Sequence, residues 1–229
     1  MTTPEFIFML TRHDRTVENA LDLVETVRSA GVTHIGFKDI GLPFEDLRLL
    51  VGKIRDVGAN VWMEVVSMGR ETELRSVRAA CELKIDYLLG GTHVEDVVSL
   101  LRGTGIRYYP FPGHVVGHPS ILTGTEEEIT ASAIEIASYS GVHGLDLLAW
   151  RFTGNVPELM RQVCTAVSKP VIIAGSIDRA ERIREVVLAS AAGFTIGTAA
   201  LDGVFPVSAD LLAQITYVQS VLSRIQGRS

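Results

Sequence analysis

"PVIIAGSIDRAERIREVVLASAAGFTIG", residues 170–197, decides the fold. A short apolar run, Val171 to Ile173, breaks at Ala174-Gly175. A helical segment follows from Asp178, and a second apolar run, Phe194 to Ile196, breaks at Gly197-Thr198. Strand, helix and strand in so short a span read as one crossover between parallel strands. Upstream the same alternation repeats. "EFIFML" leads into "TVENALDLVETVRSAG", where Val17, Ala20, Leu21, Val24 and Val27 share a helical face and Gly31 ends the run. "VTHIGF", "ANVWMEVVS", "IDYLLGG", "IRYYPF" and "VHGLDLLAW" supply further strands, each trailed by a helical segment. The count is eight strands and eight helices in 229 residues, with no low-complexity stretch or linker. Strict alternation implies a parallel sheet covered by helices. Eight units in roughly 200–250 residues imply a closed (β/α)8 barrel, an α/β fold forming one domain over residues 1–229. An open doubly wound sheet would carry a G-x-G-x-x-G turn after its first strand, and "LTRHDRT" has none.

Composition narrows the partners. A net charge of −6 without any Lys/Arg cluster argues against nucleic acid and against anionic membranes. No apolar run reaches the roughly 18 residues a membrane span needs, and the N-terminal "MTTPEFIFMLTRHD" lacks a basic flank. Cys81 and Cys164 lie in helix-like apolar surroundings and read as small hydrophobes rather than a disulfide or nucleophile pair. The expected setting is the cytoplasm.

In a barrel of this kind the catalytic face lies at the C-terminal ends of the strands. Loops after the seventh and eighth strands often hold a phosphate there. Those loops are "AGSI", Ala174 to Ile177, and "GTAA", Gly197 to Ala200. Glycine lets the backbone approach an anion, the amides of a following turn point at it, and Ser176 and Thr198 each add a hydroxyl. One Gly turn alone would be ordinary; two in successive units point to an oxyanion site. "KPVIIAGSIDRAERIREVVLASAAGFTIGTAALDGVF", residues 169–205, resembles the closing quarter of the ribulose-phosphate-binding barrels, the isomerases, cyclases and lyases of histidine and tryptophan synthesis. The resemblance implies that Gly175, Ser176, Gly197 and Thr198 bind a substrate phosphate, and that the chain can form homo-oligomers through its helices. It assigns no reaction. Leu10, Thr11 and Arg12 stand where the histidine-pathway barrels carry an Asp at the end of strand one, and the D-x-K-x-x-D signature of the orotidylate-decarboxylase-like enzymes is absent. A more distant resemblance, through "GFKDIG" and "KPVIIAGSIDRAERIREVVLAS", is to glycerol-3-phosphate-responsive antiterminator barrels. That likeness implies a non-catalytic phosphoester sensor that binds RNA.

Barrel strands are buried on both faces, so a charge inside one needs a reason. Alternation sends Ile35 and Phe37, Val61, Met63 and Val65, and Leu145 and Leu147 outward to the helices. Lys38, Glu64 and Asp146 are left pointing inward. Lys38 and Glu64 sit on neighbouring strands and pair, either as a plain buried ion pair or as a proton-transfer pair tuned by burial. Asp146 reads as a second base, a ligand for substrate hydroxyls, or a carboxylate held by loop amides. A Schiff-base lysine is disfavoured, because sugar-phosphate and keto-acid aldolases of this fold commonly carry it on strand six, which here has Asp146.

Three further residues are candidate substrate ligands. Arg12, at the end of strand one beside His13, reads as a carboxylate or phosphate clamp or as a solvated loop charge. Arg151 follows strand six. His114 lies in "PGHVVGHPSILTGT", residues 112–125, the longest connection, which reads as a lid or a plain surface excursion. His114 and His118 are four apart but not on a helix, so no metal is assigned to them. A divalent ion such as Mg2+ on Glu64 and Asp146 is the one cofactor the sequence leaves open. Trp62, Tyr108 and Tyr109 read as packing, and Trp150 as packing or a substrate cap. The expectation is an enzyme on a small phosphorylated metabolite, doing acid–base chemistry beside a carbonyl as an isomerase or carbon–carbon lyase. The alternatives are the sensor and a barrel that has lost its chemistry.

Overall fold

The computed structural model describes residues 3–67 and 69–227; Met1 and Thr2, which open the N-terminal reading, lie outside them. Eight parallel strands form the barrel. They are β1 (Glu5–Met9), β2 (His34–Lys38), β3 (Asn60–Val65), β4 (Tyr87–Gly90), β5 (Arg107–Tyr109), β6 (Leu145–Leu147), β7 (Val171–Ile173) and β8 (Gly193–Ile196). The ladder runs β6-β7-β8-β1-β2-β3-β4-β5. Its two ends are joined by hydrogen bonds from His143 N to Tyr108 O (2.8 Å) and from Asp146 N to Pro110 O (3.0 Å), which close the ring.

Around the strands lie α1 (Ala20–Ser29), α2 (Phe44–Asp56), α3 (Arg70–Leu83), α4 (Val94–Leu101), α5 (Glu126–Ser138), α6 (Val156–Ala166) and α7 (Ala180–Leu188). A single turn, α8 (Thr198–Leu201), precedes the closing helix α9 (Leu211–Gln226). The expected eighth helix is α9, and α8 is an additional turn that follows the Gly197-Thr198 break. Local chemistry fixes the ends. Thr125 and Glu128 form a reciprocal capping box at α5, with Glu126, Glu127 and Glu128 set against the positive end of the helix dipole. Side chains of Asn155 and Asp210 cap α6 and α9.

Strand alternation separates two cores. Ile35, Phe37, Val61, Met63, Leu145 and Leu147 face the helices. Ile7, Met9, Trp62, Leu89, Tyr109 and Ile172 fill the ring. Trp62 stacks on Tyr87 with centroids 3.9 Å apart and donates from its indole N–H to His34 Nδ1 at 2.9 Å. This lower half is a packed plug, so ligand access is left to the upper rim. One helical expectation fails: Leu21 is 41% exposed, because Val24 and Val27 with Ala20 already fill the seam of α1. Cys81 and Cys164 are free and half-buried; burial pushes the Cys164 thiol up to about 12, which leaves it protonated and inert as a nucleophile. No helix among the described residues is long and apolar enough to cross a membrane.

Two short antiparallel ribbons rise from the upper rim. Thr11–Arg12 pairs with Arg15–Thr16 directly after β1. The two residues between them, His13 (φ 50°) and Asp14 (φ 59°), are both left-handed, as a two-residue type I′ turn requires. His114–Val116 pairs with Ile121–Thr123 within the long connection after β5. That connection is thus an ordered ribbon that folds back over the mouth.

Candidate active site

A cavity of about 510 Å³ opens at the C-terminal ends of the strands. It is bordered by Gly175, Ser176, Gly197 and Thr198 and also by Lys38, Glu64 and Arg151. The two glycine turns and the charges, remote in sequence, therefore border one space, with Gly175 packed directly beside Arg151. Gly197 is required sterically: a Cβ there would sit 2.6 Å from Met9 O and 2.8 Å from Thr11 O, both immobile backbone atoms. Gly175 has φ 91°, and a Cβ would lie 2.9 Å from Arg151 Cγ, so the turn leaves room for the arginine to pass. Among the described hydrogen bonds, none is donated by the amides of Ser176, Thr198 or Ala199. Those of Thr198 and Ala199 open the single turn α8, and that of Ser176 lies in the loop between β7 and α7; each can take an external acceptor. Asp178 also borders the cavity, but its carboxylate is paired with Arg179 (2.8 Å) and Arg182 (3.3 Å). Arg182 in turn donates to Ser176 O and lies over the Trp150 ring, 4.7 Å from its centroid.

At the centre of the charged wall is a residue the sequence reading passed over, Asp14. Its carboxylate accepts from Lys38 Nζ at 2.7 Å, from Arg151 Nη2 at 2.6 Å, from Arg151 Nη1, and from Ser120 N at 2.9 Å. Lys38 Nζ also lies 3.2 Å from Glu64 Oε2. The register puts Lys38 directly opposite Glu64, so the pair follows from strand geometry. Thr16, in the ribbon, accepts from Lys38 N (2.9 Å) and donates to Lys38 O (2.8 Å), which fixes the ribbon against β2. Arg151 Nη1 donates as well to Ser120 O at 3.1 Å. Three connections, those after β1, β5 and β6, thus meet on one carboxylate. Burial alone would raise the Asp14 carboxyl, but the Arg151 hydrogen bonds and the Lys38 charge outweigh it and hold it well below the usual range. Arg151 shows the reverse balance: burial disfavours its charge, and the bond to Asp14 more than restores it.

Asp146 points inward as its parity predicts, yet it does not border the cavity. It is fully buried, and neither carboxyl oxygen has a hydrogen-bond partner among the described residues. Burial first, and then the Glu64 charge, push its carboxyl well above the ordinary range, against the pull of Lys38 and Arg151. An uncharged acid beneath the cavity floor is the consistent state, since an isolated buried carboxylate is costly. This geometry does not suit a divalent ion. Glu64 already faces an ammonium, and no three His, Cys, Asp or Glu side chains gather as a ligand set among the described residues. A raised pKa also fixes a stability trend. The folded state holds the Asp146 proton above the ordinary carboxylate range near 4, while the unfolded chain has released it, so stability falls as pH rises through that window. Asp146→Asn carries no such proton, so its melting temperature relative to wild type is expected to rise steadily from acidic to neutral pH. A constant difference across that range would refute the protonated state.

Two expected substrate ligands do not reach the cavity. Arg12 lies on the outer side of its ribbon, bonded to Asp202 Oδ1 (2.6 Å) and Leu201 O (2.9 Å), where it ties down the end of α8. His114 is exposed on the outer side of its own ribbon, with its carbonyl accepting from Thr123 Oγ1 at 2.9 Å. Alternation inside a ribbon explains both: Thr11 and Val115 face inward, so their neighbours face out. His13, Pro119, Ser120 and Ile121 border the cavity in their place. Trp150, with an unpartnered buried indole N–H, does not border it.

With this geometry in hand, comparison with known proteins adds one finding. No protein-family model matches the chain, and no curated protein matches its sequence. Solved structures do match. A native KDPGal structure is 17% identical with a TM-score of 0.69, covering 100% of this chain and 98% of that one. A tryptophan synthase α-subunit from Pyrococcus furiosus is 12% identical with a TM-score of 0.65, covering 97% and 98%. The α chain of tryptophan synthase from Legionella pneumophila subsp. pneumophila is 14% identical with a TM-score of 0.65, covering 98% and 92%. The chain is a (β/α)8 barrel. Its likeness to these structures is one of fold, and it extends over the whole length of the chain.

Proposed function

We propose that this barrel is an enzyme that binds a small phosphate monoester and moves a proton beside its carbonyl, in isomerisation or carbon–carbon lysis. The observation that carries the reading is that one cavity is bordered both by the Gly175–Ser176 and Gly197–Thr198 turns and by Lys38 and Glu64. The turns supply amides and hydroxyls to a dianionic head, which places the adjoining carbons over the charged wall. Glu64 is the proton-transfer group. Lys38, whose Nζ lies 3.2 Å from Glu64, favours the enediolate-like charge that develops on the substrate oxygen. A Schiff-base role for Lys38 is not favoured, because its Nζ is already engaged by two carboxylates, Asp14 and Glu64. Likeness to barrels whose names include tryptophan synthase supports a lyase as readily as an isomerase.

The test is a thermal-shift screen of the intact protein against phosphorylated metabolites. A ligand at a hundred times its dissociation constant stabilises the fold by about 2.7 kcal/mol. That corresponds to a rise of about 5–10 °C for a chain of this size. Thr198→Val, which removes one hydroxyl from the anion site, is expected to weaken the hit about tenfold or more. A screen in which no phosphorylated compound shifts the melt would sink the ligand class. Binding without any proton exchange or turnover would assign the sensor reading instead, with salt-dependent RNA binding as its mark.

A further inference from the structure

The charged wall limits what the other end of the ligand can be. Apart from His13, the cationic groups bordering the cavity among the described residues are Lys38 and Arg151. Neither is free. Both terminal nitrogens of Arg151 are spent on Asp14, and Lys38 is shared between Asp14 and Glu64. Two cations thus meet two carboxylates, with side-chain exposures of 1% for Asp14, 3% for Glu64, 5% for Lys38 and 19% for Arg151. This arrangement is sealed from solvent screening. Asp146 below adds no positive charge in either protonation state. At the glycine turns an anion is met by amides and hydroxyls; Arg151 packs against Gly175 but directs its terminal nitrogens to Asp14, and Arg179 and Arg182 are paired with Asp178.

Resting on the phosphate reading above, we propose that the site takes phosphate monoesters whose other end is uncharged, a hydroxycarbonyl or polyol, and rejects those bearing a second anion. A carboxylate or second phosphate entering beside Asp14 and Glu64 would meet two buried like charges, and the positive charges of Lys38 and Arg151 are already matched by those same carboxylates. Hydroxyl and carbonyl groups meet no such opposition, since Glu64 can accept from a hydroxyl and Lys38 can donate to a carbonyl.

Calorimetric titration of the intact protein with inorganic phosphate, dihydroxyacetone phosphate and the matching phosphoglycerate tests this at one neutral pH and ionic strength. The expected result is that dihydroxyacetone phosphate binds at least about tenfold more tightly than phosphoglycerate, the size expected for like-charge juxtaposition. Asp14→Asn and Glu64→Gln each remove one negative charge from the wall while keeping its shape. Either is expected to erase or reverse that preference by roughly tenfold, and if one fails to fold the other carries the comparison. Equal or tighter binding of phosphoglycerate to the wild type, or an unchanged preference in a folded variant, overturns the inference. If neither ester nor inorganic phosphate binds, the phosphate assignment itself falls, and this inference falls with it.

Discussion

An Asp14→Ala variant is expected to lose about 3–5 kcal/mol of unfolding free energy, the cost of stranding buried charges whose partner is removed. Asp14 is 1% exposed and neutralises two cations at once, with Lys38 at 2.7 Å and Arg151 at 2.6 Å. Without it, Arg151 keeps one carbonyl, Ser120 O, and Lys38 keeps only Glu64. The surface pair Arg48–Glu82 is the control, where loss of the contact costs about 0–1 kcal/mol. Denaturant unfolding of both variants checks the contrast. The pH dependence supplies a second sign. The Asp14 carboxyl is depressed in the fold, so its contribution is present above the unfolded value near 4 and drains away as pH falls below it. Wild type should therefore show an acid-side loss of stability that Asp14→Ala largely lacks. A variant within about 1 kcal/mol of wild type would show the cluster to be energetically idle.

Glu64→Gln is expected to slow proton exchange on a bound substrate by about a hundredfold to ten-thousandfold, the usual loss on deleting a positioned general base. Lys38→Met should do comparable damage by a different route, withdrawing the charge that stabilises the developing oxyanion. Stability separates these losses from a purely architectural role. If Lys38 and Glu64 were only a buried ion pair, each single variant would destabilise the fold yet turn over normally per folded molecule. The double variant would then recover stability, because a neutral pair of similar volume strands no charge. Solvent-deuterium incorporation, measured under conditions where each variant is folded, distinguishes the cases. Full exchange activity in both single variants would remove Glu64 and Lys38 from the chemistry.

Much of this site was legible from alternation alone. The spacing of Ile35 and Phe37, of Val61, Met63 and Val65, and of Leu145 and Leu147 told which way Lys38, Glu64 and Asp146 point, and the ring confirms each direction. Parity says nothing about depth. Lys38 ends β2 and Glu64 sits opposite it at the rim, whereas Asp146 is the middle residue of β6 and falls below the floor. Asp14 escaped for a different reason. It lies beyond β1 in a turn, where strand periodicity stops, and only the reversal of Thr11–Thr16 brings it back over the barrel. Two polar residues between short flanking runs, "TR-HD-RT", are a two-residue hairpin signal that could have located it. The same reversal sends Arg12 outward. Its place at the end of a strand suggested a ligand; its place in a ribbon makes it a brace for Asp202.

The ring's closure has a consequence for how such a site can change. Strands β5 and β6 are bridged by the amides of His143 and Asp146 where their neighbours share full ladders, so this joint is the least stitched part of the hoop. Arg151, leaving β6, grips Ser120 from the connection after β5 and Asp14 from the ribbon after β1. One guanidinium therefore serves as both a wall of the cavity and the buckle of the barrel. A descendant of this chain that traded Arg151 away would first have to refasten that joint by some other means, which ties any change at the cavity to the integrity of the hoop itself.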